Sequence, residues 1–205
     1  MRKALILLFF AVFLYGKTPQ YIFQVWKPYK FSANEYYEYE LNSVSKQSKP
    51  RTGHYTIRIE KVKNGYRVSL KGKYMFSQGS FSGVVPSLDS VVPFIMKKTL
   101  YSSTFTLFSR FVVNEMFKPG SITEKLKWQN GSSVKFSNGG LREVKGDCEF
   151  GGYKGKWIIT YRNNTEIDRA CISPDVPMPI YVKAYNPINP QKTYAEVKLK
   201  RYKKE

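Results

Sequence analysis

The sequence is poor in the residues that most chemistry requires. Its 205 residues include two cysteines, Cys148 and Cys171, and one histidine, His54. A histidine-based zinc site needs several ligands at set spacing, and a single His with two distant cysteines does not supply them. A Ser-His-Asp or Cys-His system would have to use His54, and no serine sits in a Gly-x-Ser-x-Gly setting. Glycine-rich phosphate loops and Cys-x-x-Cys pairs are also missing. Acids are scarce, with 15 Asp and Glu against 34 Lys and Arg and a net charge of +19. Among the four aspartates, Asp89, Asp147, Asp168 and Asp175, Asp147 is followed two residues later by Glu149. Two residues apart, this pair could share a strand face as hydrolase carboxylates do, but after Gly146 the expectation is a solvated turn. The sequence therefore predicts no catalysis, no metal and no cofactor.

Long apolar runs are equally sparse. The only one covers residues 4–14, after Arg2 and Lys3 and before Lys17. A basic start followed by an apolar run too short to span a bilayer comfortably has the form of a secretory signal. Gly16 suits the last cleavage position and Leu14 suits its partner poorly, so an uncleaved anchor is the alternative. No cysteine lies near this boundary to carry a lipid. We divide the chain into a signal peptide, 1–16, and one β-rich exported domain, 17–205, periplasmic or secreted.

What is present is aromatic and apolar material, 16% and 42% of the chain, enough for a buried core. The mature part alternates apolar and polar residues, the period of a half-buried strand. Residues 55–60 and 66–71 alternate about Asn64-Gly65, a pair that favours a tight hairpin turn. A two-residue loop at 64 and 65 sets Ile59 opposite Leu70 and Lys61 opposite Val68, with Ile57, Ile59, Val68 and Leu70 on one face. Similar alternation marks 35–41, 156–161, 167–172, 180–185 and 195–200. Pro174, Pro177 and Pro179 make 173–179 an extended connection or an edge. Leu88, Val91, Val92, Ile95, Met96 and Leu100 follow helical spacing, with Ser87 or Asp89 as cap. Residues 104–117 fit a strand through Phe105, Leu107, Phe111 and Val113, or a helix through Phe105, Phe108, Val112 and Met116. The expected fold is mainly β (α+β): a curved antiparallel sheet or open barrel with one or two helices inserted around residues 87–117.

The cysteines pose a choice. Export to an oxidising compartment favours a Cys148–Cys171 disulfide. Yet if 144–150, 155–161 and 166–172 form a meander, the two lie on strands separated by a third, about 9–10 Å apart and beyond disulfide reach. Either residues around Cys148 loop over the sheet and the bridge forms, or the meander is real and both thiols are free.

Short patterns across about half of the mature chain resemble bacterial exported β-rich proteins of the lipoprotein-carrier and lipoprotein-receptor half-barrel style. They are Tyr36-Tyr37-Glu38-Tyr39, the Asn64-Gly65-Tyr66 hairpin, and the ending from Pro177-Met178-Pro179-Ile180 to Lys198-Leu199-Lys200. The resemblance implies a curved sheet holding an apolar ligand on its concave face, with helix 87–100 as lid or plug. This chain departs from it in having no lipidated cysteine and no recognisable docking motif.

From these readings we expect a non-catalytic binding or carrier module for an apolar or lipid-like ligand, on a face comprising Tyr37, Tyr39, Ile57, Ile59, Val68, Leu70 and Trp157. The Gly/Ser-rich stretch 77–83 reads as a mobile neighbour of the helix. The alternative is a structural envelope protein whose basic surface, Lys198, Lys200, Arg201, Lys203 and Lys204, meets anionic lipid or polysaccharide by peripheral membrane association. Basic residues interleaved with aromatics also suit nucleic acid, but an exported protein seldom meets it and no such motif is present. The sequence does not specify an oligomeric state.

Overall fold

The computed structural model describes residues 23–25, 31–44, 50–99, 102–113, 115, 117–119, 126–136, 139–186, 189 and 192–205. The apolar run 4–14 and the cleavage point at Gly16 lie outside the described residues. In chain order the elements are β1 (Phe23–Val25), β2 (Glu35–Val44), β3 (Pro50–Val62), β4 (Gly65–Tyr74), β5 (Ser77–Val85), a 3₁₀ turn (Leu88–Ser90), α1 (Val91–Thr99), α2 (Thr106–Phe108) and a π-helical turn (Ser109–Val113). There follow β6 (Phe117–Pro119), β7 (Ser133–Lys135), β8 (Gly140–Phe150), β9 (Tyr153–Arg162), β10 (Thr165–Ile172), β11 (Tyr181–Tyr185) and β12 (Thr193–Lys204).

Among the described residues ten strands form one open antiparallel sheet in the order β5-β4-β3-β2-β12-β11-β10-β9-β8-β7, while β1 pairs with β6. Two meanders, β2–β5 and β7–β12, are thus joined where the first strand of one meets the last of the other. Buried Glu35 ties that seam. Its carboxylate accepts hydrogen bonds from Ser32 Oγ at 2.6 Å, Tyr37 OH at 2.8 Å and, across the seam, Tyr202 OH at 2.9 Å. Burial first and the Glu35 charge second hold the Tyr37 phenol well above its ordinary range.

The alternation works as period-two patterning requires. Tyr37, Tyr39, Leu41, Tyr55, Ile57, Ile59, Val68 and Leu70 all face one side and are essentially inaccessible. The β3–β4 register differs from the expected one: Ile59 pairs with Val68, Ile57 with Leu70 and Lys61 with Tyr66. Lys63 and Asn64 make the turn, and Gly65, at φ 134°, opens β4 directly against the Val85 carbonyl. A shift of two leaves the faces unchanged. Lys61 lies over the Tyr66 ring, 4.3 Å from its centroid.

The helices cover this inner face. Ser87 takes the cap position without a side-chain bond to the backbone, and Asp89 lies inside the 3₁₀ turn instead of capping it. Residues 106–113 take the helical alternative, and the wide π turn buries Phe111, Val112 and Val113 together. Phe108 stacks on Tyr55, 4.6 Å between centroids, and meets Tyr39 edge-on at 5.4 Å. Tyr55 donates to the Thr104 carbonyl at 2.8 Å. The rings of Phe105 and Phe94 sit where β4 and β5 present glycines: a Cβ at Gly72 would lie 2.5 Å from Phe105, and one at Gly83 2.6 Å from Phe94. The Gly/Ser-rich stretch 77–83 is therefore edge strand β5, a seat for the helical segment rather than a loop. The proline-rich connection 173–179 is not an edge, and only Pro174 and Asp175 in it are exposed. It folds inward, burying Val176 and Met178 and accepting the Tyr39 hydroxyl on the Pro179 carbonyl at 2.9 Å.

Meander and disulfide coexist, which corrects the either/or posed above. Strands β8, β9 and β10 are consecutive, and Cys148 and Cys171 are bridged with their Cα atoms 6.0 Å apart. The intervening strand offers Gly155 opposite Cys148, and a Cβ there would lie 2.0 Å from the Ile172 carbonyl oxygen. The irregularity between Val144 and Asp147, with Gly146 at φ 69°, bends β8 toward β10. Flat-sheet spacing did not apply, because the sheet folds sharply over a residue without a side chain.

Candidate functional site

Six of the residues expected to hold a ligand, Tyr37, Tyr39, Ile57, Ile59, Val68 and Leu70, form the floor beneath the helices, all at 0–1% exposure. Trp157 is not with them. Its neighbour Ile158 pairs with Ala170 and faces the core, so Trp157 projects to the opposite side, against Phe150 and Tyr181, with Arg169 5.3 Å from its ring. Room on the helix-covered side lies elsewhere, between the π-helical turn and strands β10–β12.

There a cleft of about 450 Å³ is lined by Arg110, Phe111, Glu115, Arg162, Ile167, Asp168, Val182, Ala184, Tyr185 and Tyr194. Its construction is local and specific. The β9–β10 ladder slips between Glu166 and Asp168, leaving Ile167 as the extra residue, and the β11–β12 ladder slips between Ala184 and Tyr185, leaving Tyr194. Bulges re-aim side chains, and both extra residues are aimed into the cleft. The π turn, a third irregularity of a kind found at functional sites, brings in Arg110 and Phe111. Phe111 meets Tyr194 edge-on at 6.0 Å. Space arises because Ala184, paired with Ala195, lines the cleft where the next core-facing row carries the larger Val182 and Val197.

The row containing those alanines runs across seven strands, Arg51, Ser43, Ala195, Ala184, Asp168, Thr160 and Arg142, each paired with the next. Apart from buried Glu35 at the seam, it carries the polar side chains of a largely apolar face. Glu115 and Arg142 make a buried ion pair at its far end, with 7% and 3% side-chain exposure. Beside the cleft Arg169 grips Glu166 through two bonds of 2.5 and 2.6 Å, which raises the guanidinium's proton affinity further. Burial, then the Glu166 charge, raises the Tyr185 phenol. The cleft thus offers aromatic and aliphatic surface, the raised Tyr185 phenol, two guanidinium groups and the carboxylates of Glu115 and Asp168.

The other sequence candidates are scattered. Asp147 and Glu149 do share a strand face, but Asp147 is 81% exposed and bonded to Lys156 Nζ at 2.8 Å, and Glu149 pairs with Lys154 on the neighbouring strand. His54 is exposed and mid-strand, facing away from the helices beside a shallow depression that includes Lys71 and Lys73. No group of three His, Cys, Asp or Glu among the described residues could hold a metal ion. Of the C-terminal cations, Lys198 lies 3.1 Å from Glu196, and Lys200 and Arg201 each lie 4.0 Å from Glu40 and Glu38, so that surface is banded with acid. No described helix is long and apolar enough to cross a membrane.

Sequence reasoning missed the cleft because bulges do not show in a regular alternation. One trace was legible: Ile167 breaks the parity of Ala170 and Ile172, as an inserted residue would.

No family model matches the chain, and no curated protein sequence matches it. Among solved structures, the crystal structure of MucB aligns with a TM-score of 0.44 at 8% identity, over 83% of this chain and 53% of MucB. MucB in complex with MucA(peri) aligns at 0.43 and 8%, over 82% and 49%. The Pseudomonas aeruginosa MucA/MucB complex aligns at 0.44 and 8%, over 83% and 51%. The chain spans about half the length of these structures, and at this level of likeness no function carries over.

Proposed function

We propose that this chain is an exported, non-catalytic binding module that takes an apolar or lipid-like ligand in the cleft between the π-helical turn and β10–β12. The carrying observation is that both bulges place their extra residues, Ile167 and Tyr194, in the lining of that cleft. A volume near 450 Å³ falls in the range of small-molecule sites, and the mix of Phe111, Ile167, Val182 and Tyr194 with Arg110 and Arg162, balanced by Glu115 and Asp168, suits an apolar body with a polar end. The floor around Tyr39 and Ile57 is already filled by α1 and α2, so the ligand lies beside that plug, not beneath it. Among the described residues no histidine, cysteine, serine or lysine lines the cleft, and of its two carboxylates, Glu115 and Asp168, the first is engaged with Arg142, which favours binding over chemistry. The N-terminal apolar run and the Cys148–Cys171 bridge support a site of action outside the cytoplasm.

Native mass spectrometry of protein purified from the exported fraction tests this. A discrete lipid-sized adduct is expected, or, from delipidated protein, saturable binding of palmitate. Ala184→Phe, which fills the cleft floor, should abolish both while leaving the circular dichroism spectrum unchanged. Wild-type protein that carries no adduct and does not bind palmitate would refute the reading, as would unchanged binding in a folded Ala184→Phe variant.

A further inference from the structure

We propose a membrane anchor at the tip of the β4–β5 hairpin, where Phe76 and Met75 enter the head-group region of an anionic bilayer. The large hydrophobic side chains exposed among the described residues are Val44, Met75, Phe76 and Val84. Three of them share one end of the sheet. Tyr74 pairs with Gly53, the Met75 amide donates to the Thr52 carbonyl at 3.4 Å, and Val44 pairs with Pro50. Phe76 is 99% exposed, so its ring contributes almost nothing to the folded core.

The turn itself argues for selection on something other than folding. Met75 has φ 53°, the left-handed region that asparagine and glycine occupy at least cost. A methionine there followed by a bare phenylalanine gives up turn preference and solubility together. Charge completes the case. Residues 41–44, 50–53 and 71–83 contain the cations Arg51, Lys71 and Lys73 and no aspartate or glutamate. Lys73 lies two residues before the turn, about 7 Å back along the strand, so insertion of the ring to a depth of roughly 5–10 Å sets its ammonium at the phosphate level. Aromatic insertion and basic anchoring are the two signals that stable interfacial binding needs, and both sit at this end. The inference goes beyond the cleft reading and does not depend on whether the cleft is filled.

The test uses the exported full chain with vesicles of phosphatidylglycerol and phosphatidylethanolamine, and phosphatidylcholine vesicles for comparison. Wild type should co-sediment with the anionic vesicles. Phe76→Ser should weaken that partition roughly tenfold, the scale of losing one inserted aromatic side chain. Met75→Asn should weaken it too while raising thermal stability, which separates anchoring from folding. The double variant Lys71→Gln/Lys73→Gln should retain weaker binding with little salt dependence. Phe76→Trp reports the tip directly, independent of any contribution from the N-terminal apolar run: its emission should shift to the blue on adding vesicles and be quenched by brominated lipid. Wild-type protein that stays in the supernatant, unchanged partition of Phe76→Ser, or tryptophan emission insensitive to vesicles would overturn the proposal. An unshifted tryptophan together with capture of a protein partner through Phe76 would assign the tip to a protein interface instead.

Discussion

Replacing Gly155 by alanine places a methyl carbon 2.0 Å from the Ile172 carbonyl oxygen, 2.6 Å from its carbonyl carbon and 3.1 Å from the Ser173 nitrogen. All three are backbone atoms, so no side chain can swing aside and the strands themselves must part. The Cys148–Cys171 bridge spans this point and opposes that movement. Inserting one carbon into a packed interior ordinarily costs about 1–3 kcal/mol, and a clash with tethered backbone belongs at the upper end, about 3 kcal/mol. In a chain of this size about 1 kcal/mol lowers Tm by 2–4 °C, so Gly155→Ala should melt roughly 6–12 °C below wild type. The bridge, with a sequence separation of 23, contributes about 3 kcal/mol of its own through the unfolded state. Because both restraints act on one crossing, they should couple. In a Cys148→Ser/Cys171→Ser background β10 is free to move away, and Gly155→Ala should cost at least about 1 kcal/mol less than in the bridged protein. Thermal and urea unfolding of the four proteins, followed by circular dichroism, measures the cycle. Strictly additive losses, or a Gly155→Ala variant within about 0.5 kcal/mol of wild type, would refute the account of a sheet folded over a bare backbone.

Two further outcomes follow from the interior. Arg142→Met withdraws the guanidinium from buried Glu115 and should destabilise by about 3–5 kcal/mol, while Arg142→Met/Glu115→Gln should lose markedly less, as urea midpoints would show; equal losses would mean the pair is not energetically linked. Burial holds the Tyr37 and Tyr39 phenols well above their ordinary range and raises Tyr55 as well. Below about pH 10 these groups are protonated in both states and their contribution is intact; above it the unfolded chain releases protons first, so stability should fall by about 1.4 kcal/mol per pH unit per tyrosine. Phenolate absorbance should therefore show a late step that coincides with loss of the circular dichroism signal, and ionisation of all sixteen tyrosines in the folded state would contradict the burial.

The strands were legible because each carries a side-chain alternation that only one face can satisfy. Tyr37, Tyr39, Ile57, Ile59, Val68 and Leu70 fall on the core side even though the β3–β4 register moved by two, since a two-residue slip leaves parity untouched. What periodicity could not carry was curvature. The distance between Cys148 and Cys171 was reckoned on a flat sheet, and the fold over Gly155 changed it. Trp157 was placed by its hydrophobicity, whereas pairing of Ile158 with Ala170 sends it to the other face. The cleft escaped for the same reason, being made of two slipped ladders and a π turn.

The two halves of the inner face divide the work in a way that decides where a ligand can sit. On β4 and β5 the glycines at 72, 79 and 83 remove side chains beneath Phe105 and Phe94, so the helical segment seats against the strands with no room left over. A β-carbon at Gly79 would still lie 3.1 Å from the Phe105 ring, so even alanine would press on the plug. On β11 and β12 the paired alanines again remove bulk, but here a cleft remains, with Phe111 of the π turn and Tyr194 meeting edge-on in its lining. Small residues under a seated ring lock a plug in place; small residues under an unfilled cleft leave volume. An apolar ligand that displaced the plug would have to break the Tyr55–Thr104 and Ser77–Thr104 hydrogen bonds as well as the ring contacts, whereas one entering beside Arg110 and Arg162 breaks none of these. The lower-cost route on this sheet is the C-terminal half, and the sequence feature that opens it is a pair of alanines flanked by two bulges.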